Sequence, residues 1–304
     1  MNKFMNYKNI NTWKFIEFSI FVIVFIYACV IVIFNFFNKL PFKFVKLQNK
    51  TAVDNINHLI TDTFNTDKNT KHIWNEDITD DIQQNISEIN SEMLNILNGD
   101  FQYVPSMTEL YYSSKGNQNS DKQYVSNHLD GPFYACGLYR AIVAINGNKN
   151  IDTYFPDDNI KVNLKKYEVA IFDYNNELHY IDVNNNEVDN SQRILLKLHY
   201  VKKNESNICE NIHCKFGRET RDLFELNKTQ LYSSGVIAKS SLHYTTYRKY
   251  TLIFIFLLLI YYYYSSNVIA KYILYLFTFI EISGIGYIIH FLFPLYDKVC
   301  GKHD

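Results

Sequence analysis

The stretch EVAIFDYNNELHYIDV (Glu168–Val183) decides the fold. Two runs of β-branched and aromatic residues, Glu168–Phe172 and Leu178–Val183, flank an Asp- and Asn-rich turn, the pattern of two strands. Working outward, the same kind of short segment recurs at Phe101–Val104, Tyr139–Ile145, Ile151–Phe155 and Ile194–Val201. Strands at this spacing predict an antiparallel sandwich or barrel, not a parallel sheet with crossover helices, and a jelly roll (double-stranded β-helix) fits their number. Before them, Ile82, Ile86, Ile89, Met93, Ile96 and Leu97 recur at spacings of three and four. They predict an amphipathic helix over Thr79–Asn98 that Thr79 caps and Gly99 stops. A weaker helical run covers Val53–Phe64.

Apolar residues concentrate at the two ends. Phe18–Phe37 (FSIFVIVFIYACVIVIFNFF) has the length of about 20 residues that a membrane-spanning helix needs, and no small-residue cleavage site follows it. Near the other end, Tyr250–Tyr264 closes on a run of tyrosines of the kind found at membrane interfaces, and Val268–Tyr296 follows after Ser265-Ser266-Asn267. These two predict an antiparallel hairpin, the second arm carrying Glu281 and His290. A carboxylate inside a span is either functional or turned towards a neighbouring helix. The expected layout is an anchor over 1–44, a helical segment over 45–100, a double-stranded β-helix over 101–245 and a membrane hairpin over 246–304. The chain thus reads as mainly β with N-terminal helices and about three transmembrane helices, an integral membrane protein whose first partner is the lipid bilayer.

Three spans put the central region and the C-terminus on one side, and the sequence argues both ways about which. Lys39, Lys43, Lys46, Lys50, Arg248 and Lys249 outnumber Lys3, Lys8, Lys14 and Lys271, which leans towards a cytosolic domain. Cys209 and Cys214, spaced like a small disulfide loop, and sequons at Asn49, Asn85, Asn204 and Asn227 suit the lumen of an endoplasmic-reticulum-type membrane. A net charge of −1 provides no field for nucleic acid. No Gly-rich phosphate loop, GxSxG, HExxH or paired CxxC occurs, and Cys209, His213 and Cys214 lack the second ligand pair of a zinc site.

Polar residues interrupt the β segments at His128-Leu129-Asp130-Gly131, at His179 and at Arg193, which opens the last strand. Two imidazoles and a carboxylate on one face of an octahedral metal leave three positions open, the arrangement of non-haem Fe(II) oxygenases. In an extended segment His128 and Asp130 point to the same side, so both can meet one ion while His179 arrives from a later strand. A planar guanidinium such as that of Arg193 takes a carboxylate bidentately. Each residue also has an ordinary role open to it: His128–Gly131 as a turn, His179 as a core histidine, Arg193 as a strand-end charge.

With HLDGPF (128–133), LYRAIVAING (138–147), VAIFDYNNELHYI (169–181) and RILLKLHYV (193–201), the chain resembles the Fe(II)/2-oxoglutarate-dependent oxygenases over a quarter of its length. The spacing is most similar to the aspartyl/asparaginyl β-hydroxylase-like branch, with the prolyl-hydroxylase-like branch as the alternative. The resemblance implies Fe(II) held by His128, Asp130 and His179, and 2-oxoglutarate anchored by Arg193 with a second contact from Arg140. It also implies hydroxylation of a C–H bond in a protein or lipid substrate, with release of succinate and CO₂. Two departures stand out: the β-hydroxylase branch generally lacks the carboxylate that Asp130 supplies, and fourteen residues from His179 to Arg193 exceed the usual gap. The competing expectation is a non-catalytic, membrane-anchored β-sandwich that binds a partner.

Overall fold

The computed structural model describes residues 3–64, 71–113, 129, 137–183, 191–203 and 236–289. The chain divides into two compact units, one formed by Asn38–Thr246 and the other by Met1–Phe37 with Tyr247–Asp304.

In the first unit the described strands are β1 (Lys43–Lys46), β2 (Lys71–Trp74), β3 (Phe101–Tyr103), β4 (Glu109–Ser113), β5 (Leu138–Asn146), β6 (Ile151–Phe155), β7 (Ile160–Val162), β8 (Glu168–Asp173), β9 (Tyr180–Val183) and β10 (Arg193–Lys202). A large sheet runs β1-β8-β5-β10-β4-β2, with β3 also on β10, and a small one runs β7-β6-β9. Every pairing is antiparallel. From β4 onward the chain visits the large sheet (β4, β5), the small (β6, β7), the large (β8), the small (β9) and the large again (β10). That alternation between two facing sheets is the jelly roll expected from the strand spacing. The six segments read as strands all form them, whereas β1, β2, β4 and β7 add to the reading. β1 (KFVK) and β2 (KHIW) are four-residue edge strands, and β7 (IKV) has three residues, too short for an alternating pattern to register.

Strand alternation gives the large sheet two different faces. One carries Ile194, Leu196, Leu198 and Tyr200 of β10 with Tyr139, Ala141, Val143 and Ile145 of β5, and buries them against α2 (Lys50–Phe64) and α3 (Asp80–Ile96). Ile82, Ile86, Ile89 and Met93 form the buried stripe of α3, as their spacing predicts. Thr79 takes the extended N-cap position but makes no side-chain cap bond, so the expected cap is positional only. Asn98 and Gly99, at φ 57° and 71°, end the helix in the left-handed region, and Gly99 N donates to Leu94 O at 3.1 Å. Asn49 caps α2, its Oδ1 accepting from Ala52 N at 3.2 Å, and the Glu92 carboxylate of α3 accepts from the preceding amides Gln48 N (2.6 Å) and Asn49 N (3.0 Å). The other face of the sheet meets the small one across Tyr111, Ile142, Ala144, Phe155, Val162, Ala170, Phe172 and Leu195.

The second unit holds α1 (Lys3–Phe37), α4 (Val236–Ser265) from Tyr247 onward, and α5 (Val268–Ile289). Phe21, Val24 and Ala28 of α1 pack with Leu252, Ile255, Leu259 and Tyr262 of α4 and Ala270, Leu274 and Phe277 of α5. Arg248 and Glu281 form a buried pair at 2.6 Å, and Lys271 meets Glu17 at 2.8 Å in a part-exposed pair joined by the hydroxyls of Tyr262 and Tyr275. Apolar side chains such as Ile23, Ile33, Ile253, Leu257, Ile269 and Leu276 face outward. Among the described residues one helix is long and apolar enough to cross a membrane, Thr12–Phe34, with a mean hydropathy of 2.8. Where three spans are expected, α5 contributes only the shorter apolar stretch Val268–Thr278, and α4 is diluted by Arg248, Lys249 and its closing tyrosines. Glu281 is turned to a neighbouring helix; His290 lies outside the described residues.

Candidate functional site

The space between the two sheets is where a jelly roll presents its functional side chains, and alternation assigns them. The inward face of β10 carries Arg193, Leu195, Lys197 and His199; that of β5 carries Arg140, Ile142 and Ala144; that of β4 carries Glu109 and Tyr111. His179 stands immediately before β9 of the small sheet.

His179 is 5% exposed, and its ring lies 4.9 Å from that of Phe172 and 5.9 Å from that of Phe155. Its Nδ1 is 3.1 Å from the main-chain oxygen of Glu177. A carbonyl only accepts, so Nδ1 carries the hydrogen and Nε2 is the lone-pair nitrogen of the neutral ring. Histidines that ligate metals through Nε2 are oriented in this way. The turn before it is built on buried carboxylates. Asp173 Oδ1 accepts from Asn175 N (2.9 Å) and Asn176 N (3.0 Å), an Asx turn that reverses the chain from β8 to β9. Burial pushes the Asp173 carboxyl above its ordinary range, opposed by the donors from Asn176, Leu40 and Asn175. Glu177, 0% exposed, pairs with Lys39 at 2.9 Å, and burial likewise raises its carboxyl against the pull of that ammonium.

Arg193 is buried, its guanidinium 6.0 Å over the Tyr111 ring, at the β4 end of the inner face where it faces Ser113 in register. Arg140 is half-buried: its Nε donates to His199 Nε2 at 3.0 Å, and its guanidinium lies 4.9 Å over Tyr174, which also meets the His199 ring edge-on at 5.2 Å. Arg140 pairs in register with Phe172, the ring that touches His179, so His179 and Arg140 share one end of the inner face. Arg193 is six residues from His199 along β10, roughly 20 Å at ~3.3 Å per residue, and marks the opposite end. His128 and Asp130 lie outside the described residues, as do Cys209, His213, Cys214, Asn204 and Asn227. Among the described residues no three His, Cys, Asp or Glu side chains converge to hold a metal.

Three features of this face escape a reading of single residues. Lys197 pairs with the buried Glu109 at 2.9 and 3.0 Å, directly opposite it on β10 and β4. His199 supports Arg140, and Lys39 supports the His179 turn. The first two had a signal in RILLKLHYV, where Arg193, Lys197 and His199 share one parity; the third joins residues 138 apart and had none.

No protein-family model and no curated protein matches the sequence. Solved structures similar to the chain include the viral collagen prolyl hydroxylase of Paramecium bursaria Chlorella virus-1 in complex with 2OG, at 16% identity over 53% of this chain and 96% of that one (TM-score 0.38). A prolyl hydroxylase from Trichoplax adhaerens bound to a hypoxia inducible factor peptide fragment is 9% identical over 61% and 93% (TM-score 0.39). The non-heme alpha ketoglutarate dependent carbocyclase SnoK of nogalamycin biosynthesis is 10% identical over 56% and 82% (TM-score 0.40).

Proposed function

We propose that the chain is a membrane-anchored Fe(II)- and 2-oxoglutarate-dependent oxygenase that hydroxylates a C–H bond of a protein or lipid substrate. The observation that carries this reading is His179: a buried imidazole between the two sheets of a jelly roll, held by a backbone carbonyl in the tautomer that offers Nε2. His128 and Asp130, two residues apart, complete with it the two-histidine, one-carboxylate set that suits iron. With O₂ and 2-oxoglutarate, bound iron supplies the oxidising power for hydroxylation, and the co-substrate leaves as succinate and CO₂.

The chain's own residues bind, orient and exclude water. Arg193 holds the far carboxylate of 2-oxoglutarate with its planar fork, which lies 6.0 Å over the Tyr111 ring. Arg140, fixed by His199 and Tyr174, presents a second guanidinium at the His179 end. Phe155 and Phe172 wall the imidazole from solvent. The helices provide the anchor: α1 spans the bilayer, and the outward apolar side chains of α4 and α5, with Arg248 and Glu281 paired inside, suit lipid as solvent.

The test uses the full chain in detergent micelles. It is loaded with Fe(II) anaerobically, then given 2-oxoglutarate and air, and succinate is measured. The parent releases succinate; His128→Ala and His179→Ala do not, and Arg193→Met needs far more 2-oxoglutarate. Equal release by the parent and the two histidine variants sinks the oxygenase reading and leaves the binding module.

A further inference from the structure

The segment that leaves α1 grips the turn that carries His179. Lys39 Nζ lies 2.9 Å from the Glu177 carboxylate, and Leu40 N donates to Asp173 Oδ2 at 2.8 Å. The Pro41 carbonyl accepts from the Tyr139 hydroxyl at 3.0 Å, and the Phe42 ring packs 4.8 Å from that of Phe155, itself a neighbour of the His179 ring. Lys39, Leu40 and Phe42 thus attach, by an ion pair, a backbone donor and an aromatic contact, to the turn and the ring beside one histidine, while Pro41 bonds Tyr139 on the helix-facing side of the sheet. Only then does β1 begin and pair with β8.

The turn depends on these contacts. Asp173 and Glu177 are 1% and 0% exposed, and buried carboxylates hold their place only when paired and hydrogen-bonded. The Asx turn satisfies Asp173 Oδ1 from within, while Oδ2 takes Leu40 N and the Asn176 side-chain amide. Glu177 takes its cation from Lys39. The same residue's carbonyl receives Nδ1 of His179, so whatever fixes the Glu177 side chain also fixes the acceptor that sets the tautomer and ring plane of His179.

We propose that residues 39–42 form a positioning strap for His179, making metal binding at that histidine depend on the chain that emerges from α1. This rests on His179 being an iron ligand. Lys39 is a positioning residue: it touches neither metal nor substrate, and acts through Glu177. A strap that merely tethered the edge of the sheet would alter stability and leave the imidazole as it was.

The experiment uses the full chain in detergent micelles, with Co(II) alone as the probe, titrated by its visible absorption in the parent, Lys39→Met and Lys39→Arg. Loss of an outer support typically weakens a metal site by about 10- to 100-fold, and Lys39→Met should fall in that range while Lys39→Arg regains most of the affinity. In the metal-free chain, ¹⁵N-imidazole NMR should show the Nδ1–H tautomer of His179 in the parent and in Lys39→Arg, and a mixture in Lys39→Met. If Lys39→Met does not fold, Lys39→Gln, which keeps a donor and drops the charge, carries the same comparison. Co(II) affinity in Lys39→Met within about 2-fold of the parent, far below that range, overturns the strap while leaving the iron reading intact. A parent that binds no Co(II) overturns the iron reading instead. The NMR comparison then decides the strap alone, and an unchanged tautomer in Lys39→Met removes it too.

Discussion

Replacing Arg248 by Met should destabilise the helical unit more than any loss of apolar packing at that position would suggest. Arg248 meets Glu281 through two hydrogen bonds, Nε to Oε1 at 3.0 Å and Nη2 to Oε2 at 2.6 Å, with side chains 3% and 0% exposed. At about 3 Å and an effective dielectric near 20, the two charges attract by roughly 5 kcal/mol. Against this stands the desolvation of both ions, several kcal/mol each, so the intact pair contributes little net stability while its rupture costs a great deal. Arg248→Met strands a carboxylate and should cost about 3–5 kcal/mol, and Glu281→Leu should cost a similar amount by stranding the guanidinium. The double variant has neither charge, and should return to within ~1 kcal/mol of the parent or exceed it. The assay is SDS-driven unfolding of the full chain in mixed micelles, followed by far-UV circular dichroism and analysed as a double-mutant cycle. Single variants within about 0.5 kcal/mol of the parent would refute the reasoning, since that is the behaviour of a solvated pair. Additive losses in the double variant would refute it too, because groups that act as a unit are not additive.

Gly147→Ala should unfold the jelly roll at lower denaturant: a Cβ there would sit 2.3 Å from the Leu164 carbonyl oxygen, and backbone cannot yield as a side chain does. A loss of about 1–3 kcal/mol with an unchanged urea m-value is expected, and parental stability would contradict it. Tyr139 gives a pH signature, its phenol pushed up to about 12 by burial, with the Asp173 carboxylate adding to the shift. Below pH 10 the tyrosine is protonated in both folded and unfolded chains; between pH 10 and about 12 only the unfolded chain ionises, so stability falls with rising pH. Tyr139→Phe should flatten that limb of the pH–stability curve, and an identical limb would exclude the assignment.

The fold was legible where burial leaves a plain pattern. RILLKLHYV and LYRAIVAIN are nearly continuous apolar runs because one face of each packs on the helices and the other on the small sheet, whereas α3 repeats at three and four because it buries one stripe. It was illegible where strands are held by neighbours more than by their own side chains: β1 and β2 gain their hydrogen bonds from β8 and β4, and four residues with charges at one or both ends carry little pattern. In the site, His179 and Arg193 stood out because polar residues break apolar strands. The partners that give them meaning did not. Lys39 reads as one juxtamembrane lysine among several and Glu109 lies outside every segment read as a strand, yet each belongs to an ion pair whose carboxylate is buried. Arg140, which the resemblance makes a co-substrate contact, is held inward by His199 and Tyr174, because the parity of β5 puts it on the face of Ile142 and Ala144.

That parity also bears on which cation can serve a dicarboxylate. A five-carbon diacid spans only ~5 Å between its end carbons, so one guided to His179 cannot by itself reach the far end of β10. The inner face offers three candidates at different depths. Arg140 stands at the His179 end, Lys197 two residues further along β10 from the His199 level, and Arg193 four beyond that. Lys197 is nearer than Arg193, but its ammonium already contacts both oxygens of Glu109 across the strand pair, and a neutralised point charge attracts a second carboxylate weakly. Arg193 is always charged, lies 6.0 Å over the Tyr111 ring, and has a long side chain with which to reach back towards the centre. Ala144 and Ala170 occupy the inner face between the two ends, and their small side chains are what an extended co-substrate lying along that face would require. The wide gap between His179 and Arg193 in the sequence is then matched by a long interval in space, which the reach of an arginine shortens and a lysine at the same position would shorten less.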